Sequence, residues 1–265
     1  MGATKHKTKR KSKRKTKCKS KLSKLSIKDV PFSRQISLGS KATRGTIDYY
    51  YLHYHTFDFI KEILKRDKSL KQMVCIPNIG KSWWQAFLAI DFKSTIPVQV
   101  VNLPNKLSLF LKKVKQCMKH RLIPINLQLR SPKQGSHANM IVMDTHRKTV
   151  ELFEPHGGKH NDSTLDGEKR AYYKVRVYLR KFFKQHFPDY KFITPEMYSP
   201  YNILQNKSDA YSGMCVTWCI LYLHYRILNP DISRKQLVRY LDKKINQTKL
   251  LQYAQYIEDV LKHKA

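Results

Sequence analysis

The stretch that most limits what this chain can fold into is GMCVTWCILYLHYRIL, residues 213–228. From 214 to 228 it is apolar nearly all round, interrupted only by Thr217, His224 and Arg226. A segment of that kind reads as a helix covered on every side, which demands a core large enough to surround it. Asn229 and Pro230 stop the helix. The 265 residues, 41% hydrophobic, suffice for such a core as one large domain, or one domain with an added segment.

The same chain carries a net charge of +33, and thirteen Lys or Arg with no acid fall within residues 1–28, leaving +20 for the rest. Ser and Thr are interleaved with these cations and large apolar residues are almost absent. Residues 1–30 therefore read as a disordered basic tail, because nothing in them offsets the entropy of ordering. Its expected partner is a polyanion, nucleic acid first, with Lys9, Arg10, Lys11, Lys13, Arg14, Lys15 and Lys17 as the contacting cations. An anionic membrane or nuclear targeting fits the same residues. No apolar segment follows the charges as in a secretory signal, and no transmembrane span is evident. The five cysteines, Cys18, Cys75, Cys117, Cys215 and Cys219, have no framework spacing. They point to a reducing, intracellular setting.

Along the remainder, residues 31–104 read as an N-terminal helical, aromatic-rich segment. Within it IDYYYLHYHTFDFIKEILKRD is a helix or helix pair, with Ile60, Ile63 and Leu64 at helical spacing. GKSWWQAFLAIDF, around Trp83 and Trp84, fits either a helix start or a strand. From residue 105 to 265 a core unit follows. NKLSLFLKKVKQCMKH places Leu107, Phe110, Leu111, Val114 and Met118 on one helical face. RLIPINLQL, ANMIVMD and TVELFE read as three adjacent strands. GEKRAYYKVRVYLRKFFKQHF is an amphipathic helix, YKFIT a further strand, and Ser233 with Gln236 forms a capping box before LVRYLDKKI. This order gives an α+β arrangement.

Cysteine catalysis needs a thiolate, a histidine to hold the proton, a group to orient the imidazole and donors for the oxyanion. Gly213 lets Cys215 begin a helix, where unpaired amides and the dipole lower a thiol pKa. His137 stands at the start of ANMIVMD and Glu154 at the end of TVELFE. A hairpin through THRK brings those two points to the same end of the sheet. Gln205 lies in the loop after YKFIT.

In GSHANMIVMD, VELFEPHG, NILQNKSDAYSGMC and the apolar helix after it, the chain resembles the adenovirus-protease and SUMO-specific-protease clan of cysteine peptidases. It is most similar to uncharacterised members from large DNA viruses. The resemblance covers roughly residues 105–230. It implies a papain-like, adenain-like fold: a small, mostly antiparallel central sheet flanked by helices, with the nucleophile at the N-terminus of a buried helix. It makes Cys215 the nucleophile, His137 the general base and Glu154 the residue that orients the imidazole. Gln205 would supply an oxyanion donor, with Asn202 as its rival, and His156 is the reserve base. Two departures stand out: Ala138 follows the histidine where the clan usually has Trp, and Met214 precedes the cysteine where it usually has Asp. The implied activity is a thiol endopeptidase acting on viral structural-protein precursors or ubiquitin-like conjugates. It needs no cofactor and no metal, and DNA is left as either an activator or a tether.

Each of these residues also has an ordinary role. A cysteine in an apolar helix is usually core, and Cys219 is assigned so. A metal site of Cys215, Cys219 and His224 is disfavoured, because the step from 219 to 224 points to different helix faces. The alternative to an enzyme is a non-catalytic, basic nucleic-acid-binding virion protein on a protease-like fold. An acyl transferase using the same Cys and His is a third reading that nothing in the chain favours.

Overall fold

The computed structural model of the chain describes residues 26–36, 50–79, 87–91, 99–101, 107–131, 135–157, 166–198, 204 and 214–262. Seven α-helices lie among them: α1 (Tyr50–Arg66), α2 (Lys68–Met73), α3 (Leu107–Cys117), α4 (Asp166–His186), α5 (Met214–Leu228), α6 (Arg234–Lys244) and α7 (Gln247–Lys262). The strands are β1 (Phe87–Asp91), β2 (Gln99–Val101), β3 (Leu122–Ser131), β4 (Gly135–Asp144), β5 (Thr149–Phe153) and β6 (Lys191–Ile193). They form one six-stranded sheet in the order β2-β1-β3-β4-β5-β6. Three of its five pairings are antiparallel; β1 with β3 and β5 with β6 are parallel. This is the expected architecture: α+β, a mostly antiparallel sheet flanked by helices, and the candidate nucleophile at the N-terminus of a buried helix.

Strand alternation builds two cores. Ala138, Met140 and Val142 of β4 face α1, α5, α6 and α7, while Ile141 and Met143 face α3 and α4. With both faces covered, β5 is buried at every residue. Helix α5 is the centre of the first core, and fourteen of its fifteen residues are buried. Of the three polar residues that interrupt its apolar run, His224 and Arg226 are partnered, while the buried Thr217 hydroxyl has no partner among the described residues. His224 Nδ1 meets the Tyr253 hydroxyl at 3.0 Å. Arg226 donates to Glu151 at 2.9 Å and to Asp144 at 3.4 Å. These bonds tie the C-terminal half of α5 to α7, β4 and β5, and so fix where its N-terminus falls.

The ambiguous GKSWWQAFLAIDF resolves into strand over its second half, since β1 pairs in register with β3 from Phe87↔Asn126 to Asp91↔Arg130. The sheet therefore takes strands from both sides of the expected 104/105 boundary. The tail boundary also shifts. Residues 26–30 are packed against the body: Asn229 accepts from the Lys28 N–H at 2.7 Å and donates to its carbonyl at 2.9 Å, and Val30 is buried. Charge composition does not reveal this, because the partners are backbone groups and a single valine.

Cys75 and Cys117, for which spacing predicted no pairing, form a disulfide. The Cys75 N–H donates to the Leu122 carbonyl at 3.0 Å, and Cys117 ends α3 just before that strand. Proximity thus comes from the sheet and not from spacing along the chain.

Candidate active site

Strand β4 begins at Gly135, three residues earlier than the expected ANMIVMD, so His137 lies inside the strand and pairs with Leu129 of β3. The β4–β5 register runs from Asp144↔Thr149 to Met140↔Phe153. Its hairpin loop closes with Lys148 at φ 51° and an Asp144 side chain accepting from the Arg147 N–H at 3.1 Å. That register carries Glu154, the residue just past β5, to the sheet end where His137 stands. His137 Nε2 donates to Glu154 Oε1 at 2.6 Å. The same oxygen accepts from the His156 N–H at 3.0 Å.

Cys215 is the second residue of α5, in the turn where helix amides lack intrahelical acceptors. Its side chain is hydrogen-bonded to His137. With Nε2 held by Glu154, Nδ1 is the ring nitrogen left to face the thiol. The three sequence-predicted residues Cys215, His137 and Glu154 are thereby brought into one chain of contacts. His156, the reserve base, lies beside this chain, its ring centroid 4.7 Å from that of His137. Gln205, Asn202 and Gly213 lie outside the described residues, as do Lys9, Arg10, Lys11, Lys13, Arg14, Lys15 and Lys17 of the tail.

The electrostatics follow from burial and pairing. Burial works against a charged His137, but the Glu154 carboxylate and the bond to Cys215 outweigh it and raise the imidazole to about 10. Burial pushes Glu154 up, and the charge of His137 reverses this, holding the carboxyl at about 2. For Cys215 burial raises the thiol pKa, yet the hydrogen bond and charge of His137, with a main-chain bond from Ala138, bring it below its ordinary value. Cys219 is the internal comparison: buried one turn further on, it is pushed well above the ordinary thiol value by burial, with the charges of Cys215 and Glu154 adding to it. Two thiols on one helix are thus set to opposite states.

Ala138 is a positioning element that sequence reasoning missed. Its main chain bonds Cys215, and its carbonyl accepts from Cys219 Sγ at 3.5 Å. The main chain of this one β4 residue is thus bonded to two thiols a helical turn apart, which seats the start of α5 on the strand beside His137. The signal was present as the departure from Trp: a small residue, 3% exposed here, leaves room for that close approach. Met214, in place of the usual Asp, is buried in the same core.

No protein-family model matches the chain, and no curated protein matches it. Among solved structures it is similar to ChlaDub1 from Chlamydia trachomatis, with TM-score 0.36 and 15% identity over 54% of this chain and 63% of that one. It is similar also to the Chlamydia trachomatis effector Cdu1 bound to ubiquitin, with TM-score 0.35 and 11% identity over 58% of this chain and 66% of that one. A third is the SUMO protease Ulp1 with its catalytic cysteine oxidised to a sulfinic acid, at TM-score 0.31 and 14% identity over 78% and 76% of the two chains. The chain spans about 63% of the ChlaDub1 structure.

Proposed function

We propose that this chain is a thiol peptidase that cleaves polypeptides by nucleophilic catalysis at Cys215. The observation that carries the reading is the continuous Cys215–His137–Glu154 arrangement, with the thiol lowered and the imidazole raised at opposite ends of one hydrogen bond. In the resting pair the proton resides on His137. The Cys215 sulfur attacks the scissile carbonyl carbon, and the C=O pair moves onto oxygen. Main-chain amides of the first turn of α5 receive that oxyanion, and Gln205 or its rival Asn202, both outside the described residues, is the expected side-chain donor. His137 then gives its proton to the leaving amine as the C–N bond breaks. Water, deprotonated by His137, attacks the thioester, releases the acid and returns the sulfur to Cys215. Glu154 holds the ring in the required orientation throughout.

Cys215 is 5% exposed, whereas the His137 side chain keeps 14% of its surface. In this reading a substrate reaches the pair from the imidazole side. Ubiquitin-like conjugates and virion structural-protein precursors are the two substrate classes this reading admits. The basic tail is assigned to a nucleic acid that tethers or activates the enzyme. Hydrolysis of ubiquitin-like conjugates and of glycine-rich reporter peptides, with and without DNA, tests the proposal. Activity on either substrate that is lost in both Cys215→Ser and His137→Ala supports it; activity that survives Cys215→Ser contradicts it.

A further inference from the structure

Between Asp91 and Asp144 the sequence contains no Asp or Glu but nine Lys or Arg, and α4 adds seven more. The fold gathers much of this onto one side. The apolar faces of α3 and α4 are spent on the second core, through Phe110 and Val114 on one helix and Val175, Leu179, Phe182 and Phe183 on the other. Their outward faces carry Lys112, Lys115, Lys174, Arg180, Lys181 and Lys184, with Lys119 in the turn after α3, all exposed. Lys112, Lys115 and Lys119 follow steps of three and four, and Lys174 and Lys181 a step of seven, so each set runs as a stripe. Among the residues on this side whose side chains are described, the exposed acids are Asp189 and Glu196, and Glu196 is already bonded to Arg176 of α4. The opposite layer is mixed in sign: Lys65 meets Glu62 at 2.7 Å and Lys262 meets Glu258 at 3.6 Å.

We propose that the α3–α4 face is a polyanion-binding surface that takes the sugar–phosphate backbone of a nucleic acid, distinct from the basic tail. A membrane-surface helix turns its apolar face to lipid; here both apolar faces are turned inward, and charge is what the surface offers. Lysine predominates, and point-charge contacts to phosphate carry no sequence information. A 21-residue α4 is about 30 Å long. A duplex presents one charge per about 1.7 Å of axis, so phosphates are available to every cation of the face. The tail departs from the other side of the sheet, where residues 28–30 are fastened against Asn229 and the α5 core. The face therefore lies apart from the point at which residues 28–30 join the body. This inference does not depend on the peptidase reading.

The test is the salt dependence of full-chain binding to a short duplex DNA. Each neutralised phosphate contributes about 0.9 to the slope of log Kobs against log salt. The triple variant Lys112→Gln, Lys115→Gln, Lys181→Gln is expected to lower that slope by about 2 to 3. A charge-matched triple on the other layer, Lys68→Gln, Lys71→Gln, Lys235→Gln, is expected to leave it nearly unchanged. Equal losses in the two triples, or no loss in the first, overturn the proposal. So does loss of binding to phosphatidylserine vesicles in the first triple while its duplex slope stays intact. Hydrogen exchange on the unmodified chain gives an independent check: duplex should slow exchange in α3 and α4, and protection confined to other elements contradicts the assignment.

Discussion

His137 is held by two partners of opposite use, the Glu154 carboxylate and the Cys215 thiol. Raised from an ordinary 6.5 to about 10, the imidazole contributes stability that is complete below pH 6.5 and lost as pH rises through about 10. Glu154, lowered from 4.5 to about 2, contributes stability present above pH 4.5 and lost as pH falls through about 2. The melting-temperature difference between wild type and Glu154→Gln should therefore be widest between pH 4.5 and 6.5 and shrink toward pH 2. The same variant removes the charge that raises His137, so the alkaline limb of the proposed peptidase activity should move down from about pH 10. An unchanged limb would show that Glu154 does not act on the ring. At this scale the sequence disclosed Cys215, His137 and Glu154, because strand ends and a helix start could be located from apolar patterning. Ala138 was visible only as a small residue in an unusual place, since its part is played by main-chain groups and not by side-chain chemistry.

The elements that place these residues are fixed far from the chemistry. Arg226 and Glu151 are both fully buried and bonded at 2.9 Å, on the half of α5 away from Cys215. Arg226→Ala leaves a buried carboxylate without its main partner and should cost about 3–5 kcal/mol in denaturant unfolding. Replacing both residues, as Arg226→Met with Glu151→Leu, should recover much of that loss; a double variant no better than the single would mean the pair is not the source of the cost. Ser233 and Gln236 close the capping box on α6 as read from sequence, and Ser233→Ala should cost about 1 kcal/mol. Helices and the β3–β4–β5 meander were legible because each carries its own period. Strand β1 was not, because an apolar run of its length fits helix or strand equally, and its pairing with β3 is set by a partner more than thirty residues along.

Across the whole molecule, the Cys75–Cys117 bond spans a sequence separation of 42. A closed loop of that size stabilises the folded chain by about 4 kcal/mol in the chain-entropy description. Reductant should accordingly lower the melting temperature and leave Cys215 reactive, and Cys75→Ala with Cys117→Ala should remove the reductant effect. Spacing did not announce this bond, since only the assembled sheet brings the two cysteines together. The fold also makes Cys215 and Cys219 chemically different although they lie one turn apart on the same helix. The most direct measurement is the rate of iodoacetamide alkylation at each, resolved by mass spectrometry at pH 6 in native and unfolded chain. Cys215 should react at least tenfold faster than Cys219 in the native protein, lose that advantage in His137→Ala, and match Cys219 once unfolded. Equal native rates, or a fast Cys215 indifferent to His137, would contradict the account.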